Sequence, residues 1–449
     1  MKPAPTATSH PTSIADCFLQ QFLWFEPIYL ALLALPLLLP GTLIPLSLHP
    51  YLLLLLFFFW PLRLLSLYAS NLSIRNLIPL PVGYAILFLL CLLPLSLWVS
   101  INRTDSYIAM GYLLLGITLY VALINWPPSQ RQPRLLVQFF AVMGVLFAIV
   151  APLFTAWKVE FRLFRFPIYD LLRAISFETL FDMTETIHAN VLAGTLVLLL
   201  PFLPILAIDK SSDCAKIDSS AKAHQLWGWL IATFLLVGTI VLSQSRGAYL
   251  ATILSVTFMC LLQWRKLFVI LPLVGIAATA LLFYFGNSFA ALELVATDSA
   301  LGGAEFRLDV WSNSLYALSD FIFTGIGIGT FNRIVPEFYP FANVNGAYAY
   351  HAHNLYLQIA LDLGLTGLIA YLLLILGSFW IVIVTVQSAL NKQTRLLGIA
   401  AAGSLVALLT HGLLDAVTWG TKLAFIPWTI FAFITLLYRQ SQKIEDAGI

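Results

Sequence analysis

Residues 51–61 read YLLLLLFFFWP, an apolar run with no polar side chain but the Tyr51 hydroxyl. On a soluble domain such a run would lie buried in a core or aggregate. Working outward, the same texture recurs along the 449 residues: 60% are hydrophobic and 10% are charged, against roughly 25% charged in an ordinary soluble domain. Too few charges remain to cover a globule of this size. The composition therefore excludes a soluble enzyme and a disordered chain. A net charge of +2 gives no global field for a polyanion and excludes a nucleic-acid binder that works through a basic face. The chain reads as an all-α polytopic membrane protein.

A helix needs about 20 apolar residues to cross a hydrocarbon core of roughly 30 Å. That window gives about twelve spans, near 24–48, 51–68, 78–100, 107–125, 135–156, 188–208, 227–243, 248–264, 267–286, 354–386, 396–417 and 423–438. Pro36, Pro40 and Gly41 interrupt the first. The tenth exceeds the bilayer thickness and is expected to tilt or project. Most Lys and Arg, among them Arg75, Lys210, Arg265, Lys266, Lys392 and Arg395, fall on the side of the N-terminus, and most acids fall on the other. The positive-inside rule then places both termini in the cytoplasm.

The expected organisation is a cytoplasmic tail over 1–23, a transmembrane domain over 24–438 and a second cytoplasmic tail over 439–449. The N-terminus (MKPAPTATSHPTSIADCF) lacks the pattern of a cleaved signal peptide. The four cysteines, Cys17, Cys91, Cys214 and Cys260, show neither CxxC nor zinc-site spacing. Two outer segments are long: 157–187, which alternates aromatic, basic and acidic residues as an interfacial amphipathic segment does, and 287–353, between the ninth and tenth spans. Long connections in a chain of short ones are where function concentrates. The inner segment 209–225 reads as a polar linker.

Several polar residues at the outer face are not accounted for by membrane insertion. Ser243-Gln244-Ser245-Arg246-Gly247 is a hairpin almost without a loop, and its one charge lies beside the bilayer. Arginine in the apolar core costs on the order of 2.5–3.5 kcal/mol or more, so Arg246 meets water, an anion or lipid headgroups. In Glu305–Leu315 (EFRLDVWSNSL), helical spacing puts Arg307 and Trp311 on one face and Asp309 on another. A guanidinium fork suits phosphate oxygens, although a solvated amphipathic helix would look the same. Thr324–Phe331 (TGIGIGTF) lacks the spacing and βαβ setting of a dinucleotide loop and reads as a tight turn with close backbone approach. His351-Ala352-His353-Asn354 opens the tenth span. Two histidines two apart diverge on a helix, so they are read as poor metal co-ligands and no metal is expected. A histidine is the natural proton acceptor in this set. Asp415, after His411-Gly412-Leu413-Leu414, ends the eleventh span on the same face and would orient a cation or cap the helix.

The order of these motifs resembles the O-antigen ligase and polymerase family of bacterial envelope glycosyltransferases. The resemblance runs from about Trp227 to Trp419 over SQSRGAYLA, FRLDVW, GIGIGTF, HAHNLYLQIALDLGLTGL and HGLLDA, with His188-Ala189-Asn190 similar to an earlier element. One departure is Ile322, where many relatives have proline before the glycine turn. The resemblance implies a GT-C-like architecture in the bacterial inner membrane, with the active site facing the periplasm. It implies cofactor-free and metal-independent transfer of a glycan from a polyprenyl diphosphate carrier to a glycolipid or glycan acceptor. Arg246 and Arg307 would hold the diphosphate, His353 would be the general base and Asp415 would support it. Asn190, Trp311, Asn354 and His351 would be supporting residues. Partners would be lipids, donor and acceptor, with no nucleic acid. Ligase activity onto a lipid A core, repeat-unit polymerisation and protein O-glycosylation remain open at this point, as does a small-anion transporter of bicarbonate type. No internal repeat supports the transporter.

Overall fold

The computed structural model describes residues 25–26, 28–34, 48–69, 82–157, 167–176, 186–208, 219–264, 266–267, 298–340, 349–389 and 391–446. The described residues are mostly helical. In chain order the main helices are α1 (His49–Ala69), α2 (Val82–Val99), α3 (Arg103–Asn125), α4 (Arg134–Val150), α5 (Ala189–Leu199), α6 (Phe202–Ile208), α7 (Ser219–Leu242) and α8 (Arg246–Gln263). They continue with α9 (Asp298–Asp320), α10 (Phe331–Phe338), α11 (Leu355–Ser388), α12 (Lys392–Gly412) and α13 (Phe425–Asp446). Eight segments among the described residues are long and apolar enough to cross a membrane: α2, α3, α4 with its 3-10 extension, α5 continued through α6, α7, α8, α11 and α12. The expected span at 267–286, most of that at 24–48 and both terminal ends lie outside the described residues.

Packing follows membrane rules. Burying apolar surface drives no association between helices already in lipid, so small residues that let backbones approach become the seams. The seam between α8 and α12 shows this. A Cβ on Gly403 would lie 2.6 Å from Met259 Sδ, and the Ser255 hydroxyl donates to the Gly403 carbonyl at 2.8 Å. On the opposite face of α12, Ser404 donates to the Leu198 carbonyl of α5 at 2.7 Å. These contacts fix α5, α8 and α12 against one another, and all three carry residues of the site.

Three expectations gain detail from the structure. The tenth span does not simply project beyond the bilayer. α11 breaks at Gly364 (φ 73, ψ 178), which divides it into a short first arm and a long second one. Leu365 N–H donates to the Ile322 carbonyl at 2.7 Å and Ile326 N–H to the Leu361 carbonyl at 2.6 Å. The break is therefore where the glycine turn lies against the helix. A side chain on Gly364 would strike the Phe323 carbonyl and one on Gly325 (φ 67) the Leu361 carbonyl, so neither residue can carry a Cβ. Second, in the long outer segment 287–353 the helical spacing read at Glu305–Leu315 belongs to a longer helix, α9, and α10 follows it. Third, the polar ends expected as linker and tail join helices: α7 starts at Ser219 and α13 continues to Asp446.

Outside the helices, Thr155–Ala156 and Ile187–His188 form a two-stranded parallel ribbon, with Ala156 paired to His188. The ribbon delivers the chain to the start of α5. Of the expected interfacial segment, the described part forms a short helix, Ile168–Ala174, with Tyr169 buried.

Candidate active site

At one end of the bundle, a cavity of about 300 Å³ is lined by Asn190, Ser245, Arg246, Gly247, Arg307, Leu308, Trp311, His411, Leu414 and Asp415. Two helices begin at its wall. α8 starts at Arg246 with Ser245 as its cap, and α5 starts at Ala189 with the His188 Nδ1 accepting the Asn190 N–H at 3.2 Å. Unpaired N–H groups and the positive end of the dipole at such starts favour an anion.

Arg246 is placed by a strained turn. Gln244 has φ 53, a left-handed conformation costing about 1–3 kcal/mol in a non-glycine residue. It is held there by its buried amide, which donates to the Tyr169 hydroxyl at 2.8 Å; that hydroxyl donates in turn to the Leu242 carbonyl at 2.7 Å. The Arg246 guanidinium reaches toward α9, where its Nη2 lies 3.8 Å from where a Cβ on Gly303 would stand. Arg307 and Trp311, one turn apart on α9, both line the cavity and Asp309 does not, as helical spacing requires. The Arg307 Nε is buried without a hydrogen-bond partner, and no carboxylate pairs with this guanidinium among the described residues. A buried donor left without a partner on a half-buried arginine marks a place for an anion.

Asp415 faces this pair from the turn after α12. Against it lie His351, with Nε2 3.7 Å from Asp415 Oδ1, and His353, with Nδ1 3.9 Å from the same oxygen. The two histidines were expected to diverge, and they do not. They precede α11 rather than lying on it, because Asn354 is the helix cap and accepts from the Tyr356 and Leu357 N–H groups. His353 itself turns back at φ 47, which brings the two imidazole centroids to 4.1 Å. Neither histidine is among the lining residues, but both lie against Asp415, which is one of them.

The Trp311 indole donates to the His353 carbonyl at 3.3 Å, and the Asn354 amide donates to the Leu413 carbonyl at 3.1 Å. Tyr356 adds a bond to the Leu409 carbonyl at 3.0 Å. Trp311 and Asn354, two of the expected supporting residues, thus join α9, α11 and α12 around the histidine turn, while Asn190 lies on the cavity wall. Burial holds the His353 imidazole well below its ordinary range, at about 3. Neighbouring His351 adds to this, Asp415 opposes it, and Arg307 and His188 add smaller contributions. His353 is accordingly neutral and able to accept a proton at neutral pH.

The ligand atoms of His351, His353 and Asp415 lie within 4.8 Å of one another, as in a metal site. Their donor set fits a cation poorly. His351 Nδ1 accepts the His353 N–H at 3.1 Å, so neutral His351 carries its proton on Nε2, the atom facing Asp415. A cation at that nitrogen would need an imidazolate or the loss of this bond. The trio is better described as two imidazoles sharing one carboxylate.

Motif reading gave His411 no role, yet its buried ring lies on the cavity wall. It packs where Gly194 has no side chain: a Cβ there would be 2.8 Å from His411 Nε2 and 2.9 Å from Nδ1. The pairing of Gly194 with His411 crosses two helices and leaves no local signal in the sequence.

Residues 231–372, which hold Arg246, Arg307, the glycine turn and both histidines of the turn, match the model of a family described as O-antigen ligase. Asn190, His411 and Asp415 fall outside the matched stretch and join the site through the fold. No curated protein matches the chain. The match bears out the resemblance drawn from the motifs: over the segment that supplies both arginines and the histidine turn, this multi-pass membrane protein is similar to the O-antigen ligase family.

Proposed function

We propose that the protein transfers a glycan from a polyprenyl diphosphate carrier to an acceptor hydroxyl, with O-antigen ligase-like activity onto a lipid-anchored acceptor at the periplasmic face. One observation carries this reading: two helix starts and two guanidiniums converge on a single cavity at one end of an apolar bundle, with Asp415 and two imidazoles beside it. The volume is at the small end of ligand pockets (~300–1,000 Å³). It suits a diphosphate headgroup whose tail stays in lipid and whose glycan extends into water.

The acceptor oxygen forms a bond to the anomeric carbon as the bond from that carbon to the carrier diphosphate breaks. The leaving diphosphate takes the electron pair, and Arg246, Arg307 and the starts of α5 and α8 neutralise the charge that develops on it. The hydroxyl proton passes to His353, and Asp415 stabilises the imidazolium that results. The contact of 3.9 Å between His353 and Asp415 is longer than a hydrogen bond and would shorten as the imidazole becomes charged. No step calls for a metal or cofactor.

An anion transporter would use the same arginines but leaves the carboxylate and its imidazoles without work. Repeat-unit polymerisation and protein glycosylation share this chemistry and differ only in acceptor. The test is deletion of the gene, with a gel of envelope glycans and measurement of carrier-linked glycan. Build-up of carrier-linked glycan with loss of transferred glycan is expected. A normal glycan profile with lost anion uptake would replace this reading with transport.

A further inference from the structure

The histidine turn contains a left-handed non-glycine residue, so something must hold its backbone. Part of the answer is a bond that does not come from the cavity. Gln358, buried in the first arm of α11, accepts the Ala352 N–H on its Oε1 at 2.9 Å. Ala352 sits between the two histidines. An amide can present either face, and this one is fixed from its other end, where Nε2 donates to Asp362 Oδ1 at 3.0 Å.

Asp362 is a fully buried carboxylate with no cationic partner among the described residues. Such a group is costly unless its oxygens are hydrogen-bonded. Its Oδ2 accepts the Trp419 indole N–H at 2.9 Å, and its Oδ1 also accepts the Gly329 N–H at 3.4 Å. Trp419 stands one turn's length along the chain from Asp415. A single carboxylate thus ties the segment that carries Asp415 to the amide that holds the histidine turn. A structural role alone would be met at less cost by an apolar side chain.

We propose that Gln358 and Asp362 are positioning residues for the transfer reaction: Asp362, anchored by Trp419 and the glycine turn, orients the Gln358 amide, and Gln358 holds Ala352 so that both flanking imidazoles face Asp415. This rests on the reading of His353 as the base. The pair acts through the turn and touches neither cavity nor diphosphate. Misplacing a reacting group by about 1 Å can cost on the order of 10²-fold in rate.

The test reverses the bond polarity. Gln358→Glu sets a second carboxylate against Asp362. Asp362→Asn leaves one acceptor oxygen for three donors, Gln358, Trp419 and the Gly329 N–H. The Gln358→Glu, Asp362→Asn double variant restores the chain from Ala352 to Trp419: the new carboxylate still accepts from Ala352, and the new amide donates back to it while accepting from Trp419, with only the long Gly329 contact of 3.4 Å given up. Purified full-length variants are added to membranes from a deletion strain that hold the accumulated donor and acceptor, and initial rates are measured. Binding of polyprenyl diphosphate in detergent is measured separately. We expect each single variant to lose about 10²-fold in rate with diphosphate affinity kept within about threefold, and the double variant to recover to within about tenfold of the parent. Single variants at full rate overturn the proposal. So does a double variant no better than the singles, or a parallel loss of diphosphate binding and melting temperature. His353→Ala, run alongside, separates the two claims: full rate there removes the base, whereas failed rescue with His353→Ala inactive removes the positioning alone.

Discussion

Arg307 gives the sharpest test of the anion site. Its Nε is buried and unpartnered, and it pairs with no carboxylate among the described residues, so the fold leaves this donor for a ligand. Arg307→Lys keeps a positive charge of similar reach and removes the planar pair of N–H groups. Loss of one donor aimed at developing negative charge costs about 10²–10³ in kcat, or about 2.7–4 kcal/mol of transition-state stabilisation. The arginine faces a cavity with Arg246 and two helix starts, so ground-state attraction for a diphosphate should survive in part. We therefore expect Arg307→Lys to lower kcat by about 10²-fold with a smaller change in diphosphate affinity, and Arg307→Ala to lower both. The assay is transfer in deletion-strain membranes with added purified protein, with helical content checked by circular dichroism. If Arg307→Lys transfers at the parent rate, the guanidinium is a headgroup anchor and the anion-site reasoning is wrong.

Other substitutions probe separate parts of the site. His353→Ala should lose about 10²–10⁴-fold in rate with donor binding retained. His351→Ala should lose less, though not nothing, because His351 Nδ1 holds the His353 N–H; full activity there would show that this bond does not set the turn. The lowered His353 pKa predicts that kcat/KM, which reports the free enzyme, stays flat as pH falls from 7 to about 5, since protonation begins only toward about 3. Bound diphosphate raises that pKa, so the acid limb of kcat should lie at higher pH than that of kcat/KM, and a kcat/KM limb at the ordinary histidine value would contradict the burial argument. Gly194→Ala drives a methyl into the His411 ring and should cost about 1–3 kcal/mol, read as a lowered melting temperature with reduced transfer; a neutral result would mean that His411 is free to move.

Hydropathy made the membrane fold legible because a span is a local property: roughly 20 residues either are or are not apolar. The break at Gly364 was not legible in that way, since a glycine inside an apolar run is common in membrane helices. Its reason lies some forty residues earlier, in the turn that Gly325 allows against Leu361. The same distinction runs through the site. Arg246 and Arg307 could be singled out from sequence because Lys and Arg are depleted on the outer side, where both are placed. His351 and His353 were expected to diverge on a helix, and that reasoning failed because the helix starts after both, at the Asn354 cap.

Asn354 shows how close a sequence can come to such an answer. An asparagine followed by a long apolar helix is a common cap signal, and a cap residue lies outside helical geometry. Taken as the cap, Asn354 places both histidines in the turn before the helix, where residues two apart can face the same way. Their common target, Asp415, is supplied by another helix end, and it is fixed in place by bonds from Asn354 to Leu413 and from Trp419 to Asp362. Those are contacts between segments about sixty residues apart, and no spacing rule along the chain encodes them. The catalytic proposal therefore depends on a geometry that the motifs name only in part: the arginines announce themselves by charge, whereas the base acquires its carboxylate only when α11 and α12 pack.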